Sequence, residues 1–481
     1  MPIPSSSSSS KPLPLKPILG DYGIPFFGAI GDRLDYFYNQ GKDHFFTTRI
    51  KKYQSTVFRT NMPPGPFIAQ NSQVILCLVF LFRILFDASK VEKRDVLNGT
   101  YLFSLSFTGG HLGCAYLDPS ESKHTSVKSF FLSLLASKHD IFVPLFRTCL
   151  SDLFLNMEDQ MASDGKKVYF NSLSDSMSFK FMFQLLCDKD PSKTRIGSKG
   201  PSLGAPHKWL GLQLAPLATL GLPKFIDDHL LHTFPFPFFL VKSAYGKLFH
   251  AFYLNSTFVL DKAESFGIKR EEACHNLVFL AGFNAYGGMK LLLPTLLKWV
   301  SVAREELHRQ LTNEIKRVSL DKMMLTKSVV YEVFRIEPML AFQYAKAKED
   351  IVVLSHDAAF EIRKGEMIFG YQPLYFVGHR FIGEGEKLLK YVYWSNGPKN
   401  EDPTAENKQF PGKDLVMLIF RLMLVDFFLR YDTFAAEVET LLLRPLVTLT
   451  SLTKATNISF HNQLLCSRNL SFHFISIPAT W

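Results

Sequence analysis

The chain has no CxxC pair, no block of lysine and arginine, and no uninterrupted apolar stretch long enough to span a bilayer. Its six cysteines (Cys77, Cys114, Cys149, Cys187, Cys274 and Cys466) lie far apart. That argues against a zinc or dithiol motif and fits a reducing compartment, where cysteine packs as a small hydrophobe. Net charge is +10, but the basic residues are dispersed, which argues against nucleic-acid binding. The apolar run Val74–Phe86 contains Arg83 and is too short to span. Leu415–Leu429 is broken by Arg421 and Asp426. The start, MPIPSSSSSSKPLPLKP, lacks the apolar segment of a secretory leader. It is Ser-rich and acid-poor, as plastid transit peptides are, but short, and residues 1–17 read as a flexible arm.

What is present is apolar and aromatic. Of 481 residues 47% are hydrophobic, and 46 are phenylalanine, enough for a large core and compatible with a lipid-like ligand. No internal repeat is visible. Helical spacing runs through 122–152, much of 170–190 and 207–260. Tyr53–Ala69 reads as a β-hairpin around Pro-Pro-Gly, and a second minor β portion falls near 351–370. Asp261–Val302 reads as one long helix interrupted by AGFNAYGGMK. Gly282, Gly287 and Gly288 each cost about 1 kcal/mol against Ala in a helix interior, so either a kink, a helix crossing or a close approach to the backbone is expected there. Ser328–Pro338 (SVVYEVFRIEP) reads as a helix ending before a proline, with Glu332 and Arg335 three apart on one face. A long loop, WSNGPKNEDPTAENKQFPGKD, then feeds a last amphipathic helix.

A Gly-broken long helix, an ExxR helix and a late Asn/Gly/Pro loop stand in the order seen in cytochrome P-450 proteins. The strings PILGDYGIPFFGAIGDRLDYFYNQG, YQSTVFRTNMPPGPFIA, AYLDPSESKH, FNAYGGMK, KSVVYEVFRIEP, SHDAAFE, RFIGEGEKLL and YWSNGP resemble the plant allene oxide synthase and hydroperoxide lyase group of that superfamily. The resemblance covers about residues 13–456. It implies the mainly α cytochrome P-450 fold with a minor β portion near the N-terminal side, as one haem domain over 18–456. Residues 457–481 have no counterpart in the family.

The resemblance also implies an activity: haem-dependent dehydration of 18-carbon fatty-acid hydroperoxides to allene oxides in oxylipin synthesis, in a plastid (the cytoplasm being the alternative), with neither O2 nor a reductase. The long helix lacks the acid–alcohol pair usual in monooxygenases. Asn284 would instead hydrogen-bond the hydroperoxide. Lys93, His124, Lys128 and Lys408 match positions that hold the haem b propionates, as cations suit carboxylates. Glu332 and Arg335 would brace the fold. Leu97, in DVLNGTY, stands where synthases carry Phe and lyases Leu, so chain cleavage is the alternative outcome. Peripheral membrane contact and oligomeric state stay open.

The chain departs from the family at one decisive place. The loop NKQCAGKD is here Asn407-Lys408-Gln409-Phe410-Pro411-Gly412-Lys413-Asp414, so Phe410 occupies the position of the iron-binding cysteine. Phe cannot coordinate a metal, and loss of the thiolate should lower haem affinity and reactivity. Residues are also missing after Arg317 and within YQPLYFVGHRFIGEGEK, although Arg380 remains. These departures favour a second expectation, a non-catalytic remnant that binds haem weakly or not at all and retains lipid binding.

Overall fold

Helical spacing becomes helix along most of the chain. The computed structural model describes residues 13–23, 27–61, 67–71, 84–94, 105–163, 166–196, 204–233, 236–303, 305–338, 343–355, 358–371, 376–393, 395–441 and 444–455. Among these, fourteen α-helices follow in order: α1 (Phe27–Leu34), α2 (Lys42–Tyr53), α3 (Ser122–Ser137), α4 (His139–Ser163), α5 (Phe170–Cys187), α6 (Ala205–Leu214), α7 (Lys224–His232), α8 (Phe239–Asn255), α9 (Thr257–Glu264), α10 (Arg270–Val278), α11 (Gly288–Val302), α12 (Glu305–Arg317), α13 (Met324–Ile336) and α14 (Lys413–Arg430). The expected turn at 62–66, Cys77, Leu97, Cys466 and the tail 457–481 lie outside the described residues, as does most of the N-terminal arm.

The mainly α expectation holds, but β structure is not confined to the N-terminal side. One sheet has the order β2-β3-β9-β6-β4, with β2 (Val57–Thr60), β3 (Phe67–Asn71), β4 (Val91–Glu92), β6 (Gln343–Ala347) and β9 (Met367–Tyr371). The hairpin read from the sequence is its β2–β3 pair, with Val57 opposite Gln70 and Thr60 opposite Phe67. A second sheet joins β1 (Leu15–Lys16), β8 (Ala358–Ile362) and β7 (Ile351–Ser355). The third lies near the C-terminus and was not anticipated: β10 (Tyr431–Leu441) pairs with β11 (Arg444–Lys454), which pairs with β5 (Val168–Tyr169). Its signal is the alternation in RPLVTLTSLTK, whose Pro445, Val447 and Leu449 face inward.

The long helix also differs from its expected bounds. It begins at Arg270, not Asp261, because Gly267 takes φ +72 and separates α9 from α10, a conformation in which Gly ends a helix without steric cost. Between α10 and α11 the chain winds as a π-helix over Phe279–Gly287, within the glycine-containing stretch. The whole Arg270–Val302 span is apolar and long enough to cross a membrane, but 78% of its apolar window is buried inside the protein. It is the central core helix. A methyl group at Gly282 would meet the Trp209 ring of α6 at 2.7 Å, and one at Gly287 would meet Leu210 at 3.3 Å. The glycines therefore allow a close helix crossing.

Glu332 is fully buried on α13. Arg335 donates to both of its carboxylate oxygens at 2.8 Å. Arg380 also donates to both, at 3.0 and 2.9 Å, and Val377 N–H adds a bond of 2.8 Å. This carboxylate ties α13 to the segment that leads into the late loop.

Candidate haem-carboxylate site

The late loop is held by its own polar residues. Asn407 Oδ1 accepts from the N–H groups of Thr404 and Gln409, both at 3.1 Å, and Asn407 Nδ2 donates to Asp402 C=O at 2.7 Å. Asn396, in the left-handed region at φ 62, donates to the Lys408 carbonyl at 3.2 Å. Gln409 is buried and donates to Pro398 C=O at 2.7 Å. Phe410 N–H reaches Ser395 C=O at 2.9 Å, and the Phe410 carbonyl accepts from Lys413 N–H at 3.2 Å. The half-buried Phe410 ring packs against the main apolar core.

Opposite this loop, Asp118-Pro119-Ser120-Glu121 forms a hydrogen-bonded turn just ahead of α3. Asp118 Oδ1 accepts from Ser120 N–H at 3.0 Å, and Glu121 Oε1 reaches back to Asp118 N–H at 2.7 Å. One turn later His124 and Lys128 are buried on the same face of α3, 1% and 2% exposed. Lys128 Nζ donates to the Asn407 carbonyl at 2.7 Å, crossing from α3 to the loop. Lys408 Nζ returns the link, donating to Cys114 C=O at 3.1 Å and to Leu117 C=O. Lys93 follows β4, and its N–H donates to Asp118 Oδ2 at 2.7 Å. Its Nζ reaches Tyr344 C=O and lies 3.4 Å from Asn396 Oδ1.

These contacts bring Lys93, His124, Lys128 and Lys408 together around one loop. Burial, with repulsion among the cations adding to it, lowers their proton affinities. Burial, then the charge of Lys408, lowers Lys93 to about 7. Burial also lowers Lys128 to about 8, with Cys114 opposing and Lys408 assisting. His124 falls to about 4 through burial, then Lys408 and Lys128. Among the described residues neither Lys93 nor Lys128 forms a salt bridge with a carboxylate. His124 Nδ1 is buried without a hydrogen-bond partner. A buried polar atom without a partner costs about 1–3 kcal/mol, so the site is short of a hydrogen-bond partner and of negative charge. Two carboxylates would supply both.

Asn284 sits half-buried on the π-helical segment, and its amide makes no hydrogen bond among the described residues. Among the described residues no group of three His, Cys, Asp or Glu side chains could hold a metal ion. The cluster therefore fits an anionic ligand edge, whereas Phe410 does not fit the role of an iron ligand. Sequence reasoning missed Asn396, Asn407 and the Tyr344 carbonyl as members of the site. The Ser-Asn-Gly-Pro turn was the one available signal for Asn396.

No family model matches the chain. It is 48% identical to allene oxide synthase 3 of Solanum lycopersicum, an alignment covering 94% of this chain and 97% of that protein. It is 50% identical to allene oxide synthase 2 of Oryza sativa subsp. japonica, across 89% of this chain and 94% of that one. The chain belongs to the allene oxide synthase family. The family's reach is wider than one reaction, since a 9-divinyl ether synthase of Capsicum annuum is 45% identical over 94% of this chain and all of its own length. Allene oxide synthases of Linum usitatissimum and Arabidopsis thaliana at 45% and 44% identity are named chloroplastic. The mainly α architecture is that of the cytochrome P-450 proteins to which this family belongs.

Proposed function

We propose that this chain is a plastid haem protein of oxylipin synthesis, built to convert an 18-carbon fatty-acid hydroperoxide to an allene oxide and water, and that Phe410 cuts its turnover far below that of a cysteine-bearing relative. The observation that carries the haem reading is the cluster of buried Lys93, His124 and Lys128 with half-buried Lys408, in which His124 Nδ1 lacks a partner. These groups would hold the two propionates. Bound there, haem would supply the iron that splits the substrate O–O bond.

The chain's own contribution is positional. Asn284 would donate its amide N–H to the hydroperoxide and orient it. The apolar core helices would exclude water from the substrate's tail. Since the hydroperoxide carries its own oxidising equivalent, no reductase is required. Phe410 offers only carbon and hydrogen at the position where the family supplies sulfur, which separates holding the haem from using it. Leu97 keeps chain cleavage as the second outcome, because an aromatic ring is absent where synthases have one.

Peripheral attachment to a membrane is supported by α7, which exposes Phe225, Ile226 and Leu230, and by Phe239, 73% exposed at the start of α8.

The test is titration of the purified chain with haemin, followed by incubation with a linolenic acid hydroperoxide. The expected result is stoichiometric binding without a thiolate-type Soret band and with little loss of the conjugated diene. Phe410→Cys is expected to gain both the band and the turnover, with ketol products marking dehydration and aldehydes marking cleavage. If neither protein binds haemin, the haem reading fails.

A further inference from the structure

The groups that recognise the ligand edge and the group at the metal position are different residues, and only the second has lost its function. Lys93, Lys128 and Lys408 would recognise carboxylates through charge and N–H donors, and His124 would add an N–H once a carboxylate raises its lowered proton affinity. None of that depends on what lies at the centre of a macrocycle. Phe410 has no lone pair to offer a metal, and its half-buried ring belongs to the apolar core packing. We propose that this chain is a metal-indifferent binder of porphyrin dicarboxylates, taking metal-free or zinc protoporphyrin as readily as haem. The proposal rests on the haem reading above but removes iron from the binding energy.

Among the described residues, one thiol could oppose this. Cys114 lies beside the same cations, close enough for Lys408 and Lys128 to act on its thiol. Burial nonetheless raises its pKa, so it stays a thiol and a poor metal ligand. Cys149, Cys187 and Cys274 are buried and unlinked by disulfides, and Cys149 and Cys274 are turned to Gln184 and the Phe249 carbonyl.

The experiment measures dissociation constants of the full chain for haemin, zinc protoporphyrin, metal-free protoporphyrin and protoporphyrin dimethyl ester, by tryptophan quenching and porphyrin fluorescence. The three dicarboxylates are expected to agree within about threefold, well under the tenfold that 1.4 kcal/mol represents. The uncharged ester is expected to bind at least about tenfold more weakly. Lys128→Met and Lys93→Met should each weaken all three dicarboxylates in parallel, and Phe410→Cys should strengthen the two metalloporphyrins but not metal-free protoporphyrin.

A preference of the unaltered chain for haemin above about thirtyfold overturns the proposal while leaving the haem reading intact. Loss of that preference in Cys114→Ser would assign the metal contact to Cys114. Ester binding as tight as that of the acids also overturns it, because the cations would then play no part. If no porphyrin binds, the haem reading falls with it.

Discussion

The Phe410 ring turns back onto Gly412: a methyl group added at Gly412 would lie 3.0 Å from two of its ring carbons. The ring is thus accommodated by the loop's own glycine, two residues on, as well as by the apolar core. Around the ring the loop is hydrogen-bonded through Asn396, Asn407 and Gln409.

This relationship predicts a coupling. Gly412→Ala should destabilise the chain by about 1–3 kcal/mol, the usual range for overpacking. In the Phe410→Cys background most of that cost should vanish, because the smaller side chain leaves room. Urea unfolding of both single variants and the double variant gives the coupling directly. Equal costs in the two backgrounds would mean that the ring does not press on Gly412.

Glu332 gives a second prediction. Its carboxylate is fully buried and serves Arg335, Arg380 and the Val377 N–H. Glu332→Ala leaves two arginines facing a void, and breaking a buried pair from one side costs about 3–5 kcal/mol. A fall in the unfolding midpoint of this size is expected. Arg380→Ala should cost less, because Arg335 still neutralises the carboxylate.

The cation cluster makes the ligand-free chain sensitive to pH in a defined direction. Lys93 and Lys128 have folded pKa values of about 7 and about 8, below the 10.5 of a free lysine. Between those limits the unfolded chain binds more protons than the folded one, so stability rises with pH across about 7 to 10.5. His124, at about 4 against 6.5, removes further stability as pH falls through that lower window. Bound carboxylates reverse the trend by raising all three values. Porphyrin binding near pH 7 to 8 should therefore take up protons, visible as a dependence of calorimetric heat on buffer ionisation enthalpy. No proton uptake would place the carboxylates elsewhere.

Much of the fold was legible because period and punctuation agreed. The ExxR helix ended before Pro338 as expected, and the Tyr53–Ala69 hairpin has its strands at Val57–Thr60 and Phe67–Asn71. His124 and Lys128 came together because their four-residue spacing on a helix sets one face. Three features were not legible. Gly267 ends one helix and lets another start, yet a lone glycine within an otherwise helical pattern reads as tolerated. The sheet of β5, β10 and β11 pairs Tyr169 with Thr448 and Val168 with Leu449, a separation that no local window senses. Asp175 accepts from both Lys290 and Arg444 on three different elements, and nothing in AGFNAYGGMK marks its lysine as half of a buried ion pair.

The central helix supplies the last prediction. Three glycines in one apolar helix could have reflected either a ligand approaching the backbone or another helix doing so. Gly282 faces the Trp209 ring, where an added methyl would sit 2.7 Å from one ring carbon. Trp209 is fully buried, so it has little freedom to withdraw. Gly282→Ala should then separate α6 from the π-helical segment and cost about 1–3 kcal/mol, although alanine is the better helix former by about 1 kcal/mol. A Trp209→Phe change in the same chain should recover part of the loss, since the smaller ring gives way. If Gly282→Ala instead stabilises the chain, helix propensity outweighs the contact and the glycine is not there for the crossing.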